Sequence, residues 1–167
     1  MKRWIKKYGI FLTLIPVIAV MGMIYWFSAQ NRASSGALSG RVTTWILSVF
    51  APNFHKLPVE KQESIRTVLG WIVRKGAHFS EYALLGFFLM LHMRQWQNRI
   101  TVRCPWLWAW ALGTVYAVSD ELHQGYVGGR HPAVTDVCID SSGVLTGVLF
   151  LAVILYLCRR RSSRRSR

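Results

Sequence analysis

The chain has no charged residue between Lys7 and Arg32, which leaves a single run of 24 uncharged positions. A helix needs about 20 apolar residues to cross the hydrocarbon core of a bilayer, so this run predicts a membrane-spanning helix near residues 8–28. A cleaved signal peptide is the alternative, but its apolar region spans only about 7–15 residues. We therefore favour a retained transmembrane helix, in which Pro16 is tolerated as a kink.

Three later apolar runs, at 82–93, 104–119 and 141–158, contain no Asp, Glu, Lys or Arg. They are short for a membrane span, and each reaches a sufficient length only by including ionisable residues at one end. The sequence thus predicts an all-α membrane protein that forms one domain over residues 1–167. Its four transmembrane helices are expected near residues 8–28, 76–93, 104–121 and 138–158.

The distribution of positive charge predicts the orientation of these helices. The chain has 21 Lys and Arg, 7 Asp and Glu, and a formal net charge of +14. Of the 21 cations, 13 lie in the amino-terminal end, the 94–103 connection and the basic tail at 159–167. Such residues stay on the cytoplasmic side, so we expect a multi-pass protein of the cell membrane with both termini in the cytoplasm. The tail is better explained by anionic lipid than by nucleic acid, and no nucleic-acid partner is expected.

The 29–75 connection is predicted to form two amphipathic helices instead of a linker. The first apolar stripe contains Leu38, Val42, Trp45, Ile46 and Val49, and the second contains Ile65, Val68, Leu69, Ile72 and Val73. Pro58 precedes the second stripe, where it suits a helix start. Two interpretations remain open. These helices either lie on the outer membrane surface and form a side entrance for a lipid, or they cap the bundle.

Under this topology, ionisable residues from three helices meet at the outer membrane face. We call this set the outer polar belt: His78, Glu81, Asp120, Glu121, His123, His131, Asp136 and Asp140. Ionisable groups at a membrane are costly and usually mark function, although internal ion pairs that lock helices together are the alternative. Helical spacing predicts that Arg74 shares a face with His78 and Glu81, and that Asp120 shares one with His123 and Gln124. Arg130 follows a glycine-rich turn and is expected either to bind an anionic ligand or to pair with an aspartate.

The segments KGAHFSEYALLGF, YAVSDELHQGYVGGRHPAVTDVCIDSSGVLTG and, more weakly, FSAQNRASSGALSG resemble the VanZ-like family of small bacterial membrane proteins. The family's serine-rich stretch corresponds here to Ser28, Ser34, Ser35 and Ser39. The resemblance implies a cell-envelope function, because the family is named for a protein that gives low-level resistance to the glycopeptide teicoplanin. The positions that it carries over are Lys75, His78, Glu81, Tyr82, Asp120, Glu121, His123, Gln124, Arg130, Asp136 and Asp140.

Three classes of function are compatible with these residues. We favour a protein that binds or handles an anionic lipid or a lipid-linked wall precursor without catalysing a reaction. The alternative is a membrane hydrolase or transferase in which Glu81, Asp120 or His123 is the general acid or base. A metal site is the least favoured class, and we expect neither a metal nor a cofactor. In either leading case, the substrate-binding residues are Lys75, His78, Tyr82, Glu121, Gln124, Arg130, Asp136 and Asp140.

Overall fold

The computed structural model describes residues 2–29, 32–97, 103–127 and 132–165. These residues form five α-helices and one short 3₁₀ helix, so the predicted all-α fold is confirmed. Each predicted transmembrane helix falls within one of the long helices. The elements are α1 (Lys2–Ser28), α2 (Arg32–Phe50), the 3₁₀ helix (Phe54–Lys56), α3 (Val59–Gln97), α4 (Pro105–Val127) and α5 (Val134–Arg165).

Two of the described helices are long and apolar enough to cross a membrane. They are Gly9–Ser28 within α1 and Val134–Arg164 within α5, and each contains an 18-residue stretch with a mean hydropathy of 2.2. Pro16 lies inside α1 without ending it. The apolar parts of α3 and α4 are shorter, because α3 includes Glu81 and α4 includes Asp120. By length and apolar composition, α1 and α5 are thus candidate membrane spans, and α3 and α4 do not meet the same criterion.

The second amphipathic segment is not the separate interfacial helix that we expected. It is continuous with the following apolar segment in α3, a helix of 39 residues and about 58 Å in length. The helix begins directly after Pro58, in agreement with the predicted start. It then continues because α3 contains no proline that would break it. The amphipathic segment is thus an extension of α3 along the same axis.

The bundle core lies where α3 packs against α5, α4 and α1. Its most deeply buried side chains are Ile24, Tyr82, Leu85, Val144 and Val148. The α3–α5 contact brings backbones together: a Cβ atom at Gly147 would overlap the carbonyl oxygen of Ala83. Another at Gly86 would overlap the carbonyl of Val144. Small residues permit such close approach of helices in a membrane.

Helix α2 packs against α3 through its polar face. Thr43 is 2% exposed and Ser39 is also buried, whereas Trp45 on the predicted apolar stripe is 62% exposed. Leu38, Val42 and Val49 are exposed as well, and of this stripe only Ile46 is half-buried. A helix that only capped the bundle would bury its apolar stripe. The predicted apolar stripe of α2 therefore remains largely exposed in the structure.

Candidate functional site

The carboxylate of Asp120 is the centre of a buried hydrogen-bond network at the outer polar belt. Its Oδ2 accepts hydrogen bonds from Ser28 Oγ at 2.8 Å, Tyr82 OH at 3.2 Å and Gln124 Nε2 at 2.9 Å. Gln124 Nε2 also donates to Ser28 Oγ at 3.1 Å. These residues come from α1, α3 and α4, so one oxygen atom connects three helices. Three donors on a single oxygen suit an acceptor carboxylate.

A small polar pocket lies beside this network, between α3, α4 and α5. Its volume is about 10 Å³, which is close to the space that one water molecule occupies. Lys75 forms an ion pair with Asp136 at its edge. Glu121 Oε1 accepts a hydrogen bond of 2.9 Å from the backbone N–H of Ala133, which connects α4 to the start of α5. The pocket is lined by Lys75, His78, Glu121, Gln124, Asp136 and Asp140. Six predicted binding residues are thus brought together.

A larger cleft lies between the end of α1, α2 and α3. It has a volume of about 160 Å³, and most of its wall is apolar. Arg74, His78 and Glu81 line it from one face of α3, as the helical spacing predicted. His78 also lines the small polar pocket, so the two cavities share this side chain. The residues around the cleft are Phe27, Leu38, Ser39, Val42, Val73, Arg74, Ala77, His78 and Glu81.

His123 is separated from the other predicted residues. Its ring lies beside Tyr25, with 4.7 Å between the ring centroids, and it lines neither cavity. No hydrogen bond reaches its Nδ1 from the described part of the chain. Residues on a helix are about 100° apart, so His123 and Gln124 lie on opposite sides of Asp120. His123 therefore contacts α1 at Tyr25, whereas Asp120 and Gln124 bind Ser28 of the same helix.

Arg130 and His131 lie outside the described residues, so the predicted anion-binding role of Arg130 has no structural description here. The structure adds Ser28 and Arg74, which the predicted site set did not contain. Ser28 belongs to the serine-rich stretch, so the sequence carried a signal for it. Arg74 carried one too, through its spacing from His78. Nothing in the sequence pointed to Tyr116, whose hydroxyl donates a 2.7 Å hydrogen bond to the Met21 carbonyl.

Within residues 2–29, 32–97, 103–127 and 132–165, no group of three or more His, Cys, Asp or Glu side chains is placed to hold a metal ion. The expected independence from metal stays a prediction, which elemental analysis of the purified protein tests.

A family model described as VanZ/LLP1 matches residues 13–156 of the chain. The match includes α2, α3 and α4 in full, together with all the residues that line the two cavities. No curated protein and no solved structure is significantly similar to the chain.

Proposed function

Because the chain belongs to the VanZ/LLP1 family, we propose that it binds an anionic lipid or a lipid-linked cell-envelope precursor at the outer polar belt. Family membership and the two apolar helices together indicate a membrane protein. The proposal adds four membrane crossings, cytoplasmic termini, a binding site at the outer leaflet, and an effect on susceptibility to glycopeptides such as teicoplanin.

The helix packing supports four crossings. α5 is apolar enough to span the bilayer, and α3 lies against it from Phe79 near Gly143 to Phe87 near Gly147. α4 approaches the same helix at Gly113, which faces Val144. α3 and α4 thus pack against the apolar part of α5, which supports two further crossings. Inside the bilayer, backbone N–H and C=O groups must form hydrogen bonds within the protein, and α3 and α4 meet this requirement because they are continuous helices.

The observation that carries the proposed binding function is the position of the cleft. Its apolar walls match a hydrocarbon chain, and its charged side, at Arg74, His78 and Glu81, matches a polar headgroup. The exposed rim residues Leu38 and Val42 connect it to the apolar outer surface of α2. An amphiphile that resides in the membrane satisfies both halves of this cleft at once, whereas a small polar solute satisfies only one.

The geometry supports binding more strongly than catalysis. The Oδ2 atom of Asp120 already accepts three hydrogen bonds, so this oxygen is poorly placed to take a proton from a substrate. His123 lies away from both cavities, beside Tyr25. Glu81 lines the cleft and is the one of the three candidate acid–base residues that an enzymatic alternative would retain.

Thiol labelling tests the topology. In a variant whose native residues Cys104, Cys138 and Cys158 are replaced, Gly128→Cys is expected to react with a membrane-impermeant reagent added outside the cell. Gln97→Cys is expected to react only after the membrane is opened. The reverse pattern would place the polar belt at the cytoplasmic face and contradict an outer-leaflet site.

Isosteric variants test the function. Glu81→Gln and Arg130→Lys are expected to accumulate in the membrane at near-normal levels and to lose the effect on glycopeptide susceptibility. Glu60→Gln is the matched control, because Glu60 is an exposed residue in the first turn of the same helix as Glu81. Full retention of the phenotype by both site variants would show that the belt is structural. Lipidomic analysis of the purified wild-type protein identifies the bound lipid.

A further inference from the structure

We propose that the cleft between α1, α2 and α3 holds one phosphate-bearing lipid, whose phosphate is bound by Arg74 and whose hydrocarbon chain leaves past Phe27 and Leu38 into the outer leaflet. This inference rests on the proposed function and makes it more specific. It names the residue that selects the headgroup and the side of the bundle through which the ligand enters.

The first observation is the state of the Arg74 side chain. Its Nε is buried and has no hydrogen-bond partner among the described residues. A buried guanidinium N–H without an acceptor costs free energy, so an acceptor supplied by a ligand would be favourable here. The planar fork of arginine matches phosphate oxygens in a bidentate arrangement. Arg74 also lines the cleft, so a ligand bound there lies beside its side chain.

The second observation is the apolar path from Arg74 to the surface. Leu38 and Val42 form one side of the cleft and Phe27 contributes from α1. All three side chains are partly exposed, at 51%, 40% and 39%, so the cleft opens along an apolar rim. A rim of this kind is compatible with hydrocarbon and disfavours entry of a free ion from water. The ligand therefore reaches Arg74 sideways from the bilayer.

The third observation is the order of charges along α3. Arg74 and Glu81 both line the cleft but are seven residues apart, or about 10 Å along the helix axis. A phosphate at Arg74 is thus separated from the Glu81 carboxylate, with His78 between them. Because His78 also borders the small polar pocket, a headgroup that extends beyond the phosphate would approach the Lys75–Asp136 pair.

Photo-crosslinking in phosphate-free detergent tests this assignment. The purified full-length chain in maltoside micelles is mixed with phosphatidic acid that carries a diazirine in one acyl chain, and the modified peptides are identified by mass spectrometry. We expect crosslinks at Phe27 and Val42. Arg74→Gln should reduce their yield at least tenfold, and Val42→Trp should reduce it by filling the cleft. Arg74→Lys should fall between wild type and Arg74→Gln, because it keeps the charge and loses the fork.

Arg66→Gln is the matched control. Arg66 is exposed two turns earlier on α3, where it donates to Thr44 Oγ1 at 3.3 Å and lies over the Phe54 ring. This variant should crosslink like wild type. A diacylglycerol probe with the same diazirine should give crosslinks that do not depend on Arg74. Monodisperse elution of each variant in size-exclusion chromatography verifies its fold.

Several outcomes would overturn the inference. Unchanged crosslinking in Arg74→Gln would remove the phosphate role, and crosslinks spread equally over exposed residues of α5 such as Phe150 would remove the cleft. Displacement of the probe by millimolar inorganic phosphate would identify a free anion as the ligand instead of a lipid. If Glu81→Gln loses the susceptibility phenotype while Arg74→Gln crosslinks normally, the proposed function stands and only the assignment of the phosphate to Arg74 fails.

Discussion

From Phe79 to Phe87, α3 lies against α5 with its backbone so close that Gly143 and Gly147 have no space for a side chain. From Gly70 to Glu81, the same helix faces α2 across a buried polar face and an apolar cleft. The glycines of α2 are open by comparison, since nothing lies within 4 Å of a Cβ built at Gly36 or Gly40. One helix thus takes part in two contacts of opposite character.

The difference indicates a division of roles along α3. A contact between backbones cannot widen without losing its dispersion energy, so the α3–α5 seam is suited to fix the fold. The α2 contact contains a cleft and buries few large apolar side chains, so it is suited to admit a ligand. The Asp120 network reaches α3 through Tyr82, which lies next to the boundary between the two parts.

The largest expected effect follows from filling the seam. Gly147→Leu would place a side chain where Ala83 and Phe87 backbone atoms already lie, so we expect no folded protein to accumulate in the membrane. Gly40→Leu is the control on α2, where a Cβ atom would have no neighbour within 4 Å, and it should accumulate normally. Immunoblots of membrane fractions and size-exclusion profiles measure both. Equal accumulation of the two variants would show that the seam is not the fixed part of the fold.

The Asp120 network provides the next test. Asp120→Ala removes the acceptor of three donors and leaves Ser28, Tyr82 and Gln124 without it, which should lower the free energy of unfolding by about 3 kcal/mol. Tyr82→Phe removes one donor and should cost about 1 kcal/mol. Thermal unfolding in detergent compares the two variants with wild type. Similar losses would mean that the network is not centred on the Asp120 carboxylate.

Much of this architecture could be predicted from the sequence. The uncharged run after Lys7 and the shared face of Arg74, His78 and Glu81 both depend on local spacing, which the sequence contains directly. The predicted binding residues Lys75, Glu121, Asp136 and Asp140 converge because each lies beside the end of an apolar run, and these ends meet in the bundle. Polarity at the ends of the apolar runs was therefore a useful signal for these residues.

The remaining features are the continuity of α3 and the rotation of α2 about its own axis, and residue spacing determines neither. The amphipathic segment after Pro58 continues past residue 76 because nothing interrupts the helix. The sequence pattern of a membrane span marks only the apolar part of such a longer helix. The sequence pattern of α2 also did not determine which face packs against α3, since in a membrane an apolar stripe can face lipid while Ser39 and Thr43 face protein.

A smaller effect is expected from the ion pair between Lys75 and Asp136. Both side chains are partly exposed, at 18% and 29%, so Lys75→Met should lower the free energy of unfolding by only about 1 kcal/mol. The exchanged pair Lys75→Asp with Asp136→Lys should recover most of that loss. If the single variant instead abolishes folding, the pair belongs to the fixed part of the bundle along with the seam. Chemical denaturation in mixed micelles measures the difference.

The smallest expected effect has the opposite sign and tests the α2 contact itself. Thr43 is buried against α3 near Gly70, yet within the described chain its Oγ1 has no hydrogen-bond partner. Thr43→Val keeps the shape and removes this buried hydroxyl, so it should raise the free energy of unfolding by up to about 1 kcal/mol.

Thr114→Val is the control in the packed part, because Thr114 Oγ1 is 2.8 Å from Ser141 Oγ. Losing that hydrogen bond should lower stability by about 1 kcal/mol. Thermal midpoints that move in opposite directions would show that the polar face of α2 is not optimised for stability, as expected of a helix that borders a binding cleft. A loss of stability in both variants would mean that Thr43 contributes a bond to the fold, and that α2 is held as firmly as α5.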